Sequence, residues 1–270
     1  LNVDGGRRVS TAVAYLLPAW ERPNLTVEAN SDVIRILFSG NETIGVEVES
    51  DGVRRTVRTG RVVLAAGPVE TPVLLMLSGI GPEEHLKDND IPVILDAPGV
   101  GSDFSDHPEV ALPYRIRDTL RRSDTSPVVE TVLNVGDLEI RPYTAPFDVL
   151  VPGSGQPDPV LGIGLMVTDS RGDIRLTSRH RRDRPRIEYR YAQSAADRRA
   201  LREGQAIALE LLRSPELGPF VVPLSEEVSA RSVLAHLGTR CTCAAVAGWA
   251  DATTRGRWWT SGATSAEWKG

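Results

Sequence analysis

The stretch Val62-Val63-Leu64-Ala65-Ala66-Gly67-Pro68-Val69-Glu70-Thr71-Pro72, continuing through Val73-Leu74-Leu75-Met76-Leu77 to Ser78-Gly79-Ile80-Gly81, constrains the fold more than any other part of the chain. Val62 to Leu64 are apolar, mostly β-branched and too few for a helix, which predicts a buried strand. Ala65-Ala66-Gly67 carries almost no side chain, so another molecule can approach the backbone closely. Thr71 suits an N-cap and Pro72 the first helical position, which predicts a helix with the apolar block Leu74 to Leu77. Gly79 fits the left-handed position that stops it. Many α/β turns share a strand, a bare bend and a capped helix, so this pattern alone favours a packing turn without a ligand over a ligand-binding one.

The run from Gly67 to Gly81 reads Gly-Pro-x-x-Thr-Pro-x-Leu-Leu-x-x-Ser-Gly-Ile-Gly. It resembles the second signature of the glucose-methanol-choline (GMC) oxidoreductases, FAD-dependent enzymes that mostly oxidise alcohols. The resemblance implies a base that takes the alcohol proton while hydride passes from carbon to the flavin N5. The isoalloxazine is then the electron sink, and protein groups orient the substrate. A base with a pKa near working pH implies histidine.

The flanking order agrees. Ser10 or Thr11 is expected to cap a short helix ending before Pro18. Leu25-Thr26-Val27, the segment Asp32 to Phe38 and the alternating Ile44 to Glu49 read as strands, and Asp51-Gly52 is a hairpin turn. Residues 25–64 thus form a small antiparallel meander. GMC enzymes have the same succession, and by that resemblance Val33 occupies the place of a valine against the FAD adenine, with Ala65, Ala66 and Gly67 beside the cofactor. Further on, Pro98-Gly99-Val100-Gly101-Ser102-Asp103-Phe104-Ser105-Asp106-His107 is similar to the family's Pro-Gly-Val-Gly-x-Asn-(Leu/Phe)-x-Asp-His, with Asp103 in place of the usual Asn. Asp106 and His107 are read in two ways: as a pair on the flavin side of the pocket, or as a turn cap and a hydrogen-bonded histidine. His85 reads as a solvated helix residue, and Ile91 to Ile94 as an edge strand because of Pro92.

Beyond residue 110, prolines cut the chain into short pieces. Val132 to Val135 and Leu161 to Val167 are strand-like, and Asp169 to Thr177 resembles the family's Ser-Arg-Gly-x-(Val/Ile)-x-Leu strand. Residues 179–190 are arginine-rich. Without interleaved aromatics beyond Tyr189 and Tyr191, they read as a solvated loop between two strands rather than a nucleic-acid patch. Ala196 to Arg213 has helical spacing of Leu201, Ala208, Leu211 and Leu212. His236 reads as structural.

With 270 residues, the chain has room for one large domain or two modest ones. A formal net charge of -5 argues against nucleic acid as the main partner. No apolar run approaches the roughly 20 residues of a membrane helix, and no signal peptide opens the sequence. Cys241 and Cys243 are too close for an ordinary disulfide and too few for a zinc site, so a cytoplasmic setting is the default.

The first residue is not Met and already reads as mid-domain sequence, and the dinucleotide fingerprint is missing. After Leu237-Gly238-Thr239 the text departs from the family just where its catalytic-histidine segment is due. Back-translated and read in another frame, the tail allows Leu-His-Leu-Cys-Gly-Ser-Ser-Gly-Met-Gly, which looks like that segment. A slip of frame near Thr239 or Arg240 is therefore expected, with a genuinely divergent tail as the alternative.

The resulting expectation is an α/β plus α+β fold. Residues 1–109 form a partial FAD-binding domain, an incomplete Rossmann-like part with an antiparallel meander. Residues 110–239 form a substrate domain of antiparallel sheet and helices, and 240–270 an aberrant, disordered tail. The expected cofactor is FAD, held by Val33, Ala65, Ala66, Gly67, Asp106 and His107, with no catalytic residue and no metal site retained. The partners are an alcohol and an electron acceptor such as mycofactocin. The function is that of a fragment of a choline dehydrogenase-like alcohol oxidoreductase; the alternative is a non-catalytic remnant or partner-binding module.

Overall fold

The computed structural model describes residues 3–4, 7–117, 128–150 and 152–244. Two compact units emerge, one over residues 1–62 and one over residues 63–270.

The first unit is built on three antiparallel strands, β1 (Asp32–Ser39), β2 (Glu42–Ser50) and β3 (Val53–Arg58), in the order β1-β2-β3. The β2–β3 turn has positive φ at both Asp51 (51°) and Gly52 (77°), the twist that a two-residue hairpin needs. Leu25 to Val27 lies outside this ladder, contrary to the sequence reading; these residues are exposed and, among the described residues, no strand pairs with them. The helical segment also differs. Ala12–Leu16 runs on into Leu17–Ala19, and Pro18 sits in a new first turn, where its missing N–H costs nothing.

Val62 to Leu64, at the passage from the first unit to the second, makes no strand, because no described segment pairs with it. The helix α1 (Gly67–Leu77) starts at Gly67, not at Pro72 after a Thr71 cap. Pro68 takes the first turn, and Pro72 lies inside the helix, tolerated with Val73 to Met76 buried around it. Gly79 ends the helix as expected, at φ 86°, and a Cβ there would stand 2.5 Å from the Pro92 carbonyl oxygen. The next pieces are β4 (Ile80–Gly81), α2 (Glu83–Asp88) and β5 (Leu95–Asp96), with β5 parallel to β4. Pairing thus falls just after Ile91 to Ile94, since the N–H groups of Ile94 and Leu95 both reach the Gly79 carbonyl.

The main sheet uses β6 (Ser105–Ile116), β7 (Leu133–Val135), β8 (Leu138–Pro142) and β9 (Val160–Leu165). A separate pair, β10 (Asp173–Arg175) and β11 (Arg186–Glu188), brackets the arginine-rich loop. Then come α3 (Ala195–Arg213), β12 (Val221–Pro223), α4 (Ala230–Ala235) and β13 (Leu237–Ala244). The sheet order is β12-β6-β9-β8-β7, all antiparallel, with β13 also on β6. Val110 and Leu112 of β6, Ile140 of β8 and Ile163 of β9 pack with Leu201, Ala208 and Leu212 of α3. Gly204 lets the helix come close, since a Cβ there would lie 2.5 Å from Ile163 Cγ2.

The start of α3 is anchored by charge. Ser194 accepts the Asp197 N–H as N-cap, and the buried Asp197 carboxylate accepts from Thr168 Oγ1 and from the N–H groups of Asp169 and Ser170. Burial resists ionisation here, but the hydrogen bonds from Ser170, Thr168 and Asp169 outweigh it and hold the carboxyl below its ordinary range.

The expected tail needs one correction. Residues 240–244 continue β13, with Cys243 opposite Asp106; residues 245–270 lie outside the described residues.

Candidate functional site

The bend before α1 is open. Ala65, Ala66 and Gly67 are exposed, Gly67 sits at φ 81°, and a Cβ on it would meet no atom within 4 Å. The positive φ favours glycine, and it turns the chain into the helix without placing a side chain over the bend. Val33 is half-buried in β1 opposite Val48, in the first unit, whereas the bend, Asp106 and His107 belong to the second.

Asp106 and His107 open β6. The Asp106 side chain is buried and accepts twice: Oδ1 from the His107 N–H at 2.8 Å, and Oδ2 from the Tyr191 hydroxyl. Tyr191 packs on Tyr189 with ring centroids 5.0 Å apart, and Tyr189 meets Phe104 edge-on at 5.4 Å. His107 Nδ1 is buried and has no hydrogen-bond partner. Asp106 fixes local backbone, as a turn-capping residue would, and Nδ1 of the His107 ring has no hydrogen-bond partner. Asp103, where the family pattern has Asn, stands at φ 54°. Asp and Asn share a tolerance for that left-handed geometry, so the exchange preserves the backbone.

Alternation along β6 puts His107 and Glu109 on one face, opposite Val110 and Leu112, which face α3. Glu109 is buried and pairs with Arg141 of β8 across Gly162 of β9. Arg141 Nε also lies 3.4 Å from a Glu139 carboxylate oxygen, and its guanidinium stands 5.3 Å from the Tyr143 ring centroid. Tyr114 donates to the Tyr143 carbonyl at 2.9 Å, and burial pushes its phenol up to about 12.

His85 is not the solvated residue that its position on a short helix suggested. Its Nε2 accepts the Leu176 N–H at 3.0 Å, and burial first, then the charge of Arg175, lowers its pKa. His236 is structural as expected, with Nδ1 3.0 Å from the Ser232 carbonyl oxygen. Tyr191, Glu109 and Arg141 were not singled out from sequence. Tyr191 has a faint signal in the Tyr-x-Tyr spacing; the ion pair has none, since its members are 32 residues apart. Among the described residues no group of three or more His, Cys, Asp or Glu side chains is placed to hold a metal ion, and no helix is long and apolar enough to cross a membrane.

Comparison with known proteins settles the family. Two models described as GMC oxidoreductase match the chain, one over residues 1–109 and one over residues 168–251. This chain belongs to the GMC oxidoreductase family. The second match runs past Thr239, where the sequence reading placed the end of the resemblance. An uncharacterised GMC-type oxidoreductase of Rhodococcus erythropolis is 49% identical over 214 residues, covering 79% of this chain and 43% of that protein. The mitochondrial choline dehydrogenase of Mus musculus is 31% identical, covering 82% and 42%. The crystal structure of pyridoxine 4-oxidase from Mesorbium loti superimposes with a TM-score of 0.80 at 25% identity, over 89% of this chain and 51% of that one. The GMC chain thus spans about half the length of the relatives it matches.

Proposed function

We propose that this chain is part of an FAD-dependent oxidoreductase acting on CH–OH groups, and that by itself it binds FAD weakly and does not turn an alcohol over. The bend carries the reading: in a chain of this family, three adjoining exposed residues present bare backbone with open space above Gly67. A bend filled by the protein's own side chains would not fit a nucleotide; here that space is open.

In this reading residues 1–109 are the partial FAD-binding domain and residues 110–239 the substrate domain. Ala65, Ala66 and Gly67 would hold the nucleotide through backbone, and Val33 would offer an apolar surface to the adenine. Asp106 would hold the backbone at His107 in place, and the partnerless ring Nδ1 would be the polar atom turned to the cofactor. When bound, the flavin supplies the ring that accepts hydride from the alcohol carbon. No described histidine is assigned as base: His85 and His236 are engaged with backbone groups, His180 is exposed in the arginine-rich loop, and His107 is read as a cofactor-positioning residue.

Titration with FAD, followed by quenching of flavin fluorescence, is expected to show weak saturable binding that Gly67→Val abolishes, with circular dichroism confirming that the variant stays helical. Undiminished binding by the variant would remove the bend from the cofactor site. Purification of the chain as a yellow protein that oxidises choline would overturn the claim that it is incomplete.

A further inference from the structure

We propose that the turn joining β10 to β11 is a docking site for an acidic segment of a partner protein. Residues 177–186 contain five arginines and one aspartate, in a chain whose formal net charge is -5. Such crowding of like charge is unfavourable in isolation, yet the turn is held in one shape by its own hydrogen bonds. Thr177 Oγ1 donates to the Arg184 carbonyl at 2.8 Å, Ser178 Oγ to Asp183 at 2.6 Å, and the Asp183 N–H to the His180 carbonyl at 3.0 Å. The aspartate is thereby committed to Ser178.

The arginines divide into two kinds. Arg175 and Arg190, flanking the turn, are tied inward, to the Gly101 carbonyl and to Asp173. Arg181 reaches Glu70 in the first turn of α1 at 2.8 Å. The exposed side chains of Arg179 and Arg184, by contrast, have no hydrogen bond or ion pair among the described residues. A pinned turn that presents uncommitted guanidinium groups is preorganised for carboxylates, because each fork accepts a bidentate partner without further ordering.

The surroundings select the partner. The nearby aromatic rings, Tyr189 and Tyr191, are engaged with Phe104, each other and Asp106, so none is left to stack on bases. Leu176 is buried and Ile187 half-buried, so the turn has no apolar residue to insert into a lipid surface. A nucleic acid or an anionic bilayer would also bring extended negative charge against a chain that is acidic overall. A short acidic segment touches the turn alone. Through Arg181 and Glu70 the docked segment would lie beside the helix that leaves the open bend.

The test uses the full chain and a short fluorescein-labelled oligoglutamate, read by fluorescence anisotropy. The wild type is expected to bind and to weaken steeply with added salt. R179S/R184S should lose affinity by about tenfold, on the scale of two exposed charge contacts. R199S/R202S removes the same charge from exposed positions of α3 and is expected to leave binding within about twofold. Absence of wild-type binding, or equal loss in the two double variants, would refute the proposal. So would binding to phosphatidylglycerol vesicles or single-stranded RNA that depends on Arg179 and Arg184 and is tighter than to oligoglutamate.

Discussion

Replacing Arg141 by methionine removes the guanidinium that forms an ion pair with Glu109 while keeping an aliphatic side chain on β8. The Glu109 side chain is 7% exposed and that of Arg141 13%, so neither charge has water to fall back on. At an effective dielectric of about 20, two charges about 4 Å apart attract by about 4 kcal/mol. Breaking a buried pair from one side costs about 3–5 kcal/mol, because the stranded charge stays desolvated. That is a large share of the roughly 5–15 kcal/mol that holds a typical domain together. Relief by movement is blocked, since Glu109 packs against the β9 backbone: a Cβ on Gly162 would fall 2.8 Å from its carboxyl carbon. Urea denaturation followed by far-UV circular dichroism should therefore show R141M destabilised by about 3–5 kcal/mol. E109Q is expected to cost less, because Arg141 keeps Glu139 at 3.4 Å. The apolar pair E109L/R141M should recover part of the loss, giving a coupling above about 1 kcal/mol in the double-mutant cycle. A cost under about 1 kcal/mol for R141M, or additive single changes, would show that the pair is solvated and the reasoning wrong.

Two further outcomes follow from titratable groups. His85 has a folded pKa below its ordinary 6.5, so the folded state binds fewer protons and stability should fall as pH drops through 6.5 towards the lower folded value; urea midpoints across that range should slope for wild type and flatten for H85Q. Asp197, also depressed, contributes stability that is complete above its unfolded value near 3.8 and is lost as pH falls through the folded one. D197A, which takes the acceptor from Thr168 Oγ1 and the Asp169 N–H and leaves the Ser170 N–H only Thr168 Oγ1 at 3.2 Å, should cost about 2–3 kcal/mol at neutral pH and remove that acid-side loss in thermal melts.

Features governed by near neighbours were legible in the sequence. The Asp51-Gly52 turn, the stop at Gly79 and the helix over Ala195–Arg213 depend on local backbone chemistry or a single apolar stripe. Where the outcome depended on a distant partner, the sequence misled. Val62 to Leu64 has strand composition but no neighbour to pair with, and Thr71 looked like a cap because Pro72 follows it, although Pro68 offers the same start one turn earlier. His85 looked solvated because its acceptor role is set by Leu176, 91 residues away. In the candidate site, the bareness of Ala65-Ala66-Gly67 and the Asp106-His107 pair could be read directly. Tyr191 closing on Asp106 could not, since folding brings it from 85 residues away.

Strand β6 holds several duties on one ribbon: Asp106 turns towards Tyr191, His107 and Glu109 share a face, and Val110 and Leu112 bury against α3. Side chains on a strand alternate strictly, so losing or gaining one residue within Ser105–Ile116 would invert everything beyond the lesion at once. Substitutions can retune each position separately, but single-residue insertions and deletions will be accepted in the flanking loops and refused there. A deletion scan across the strand would trace that boundary residue by residue.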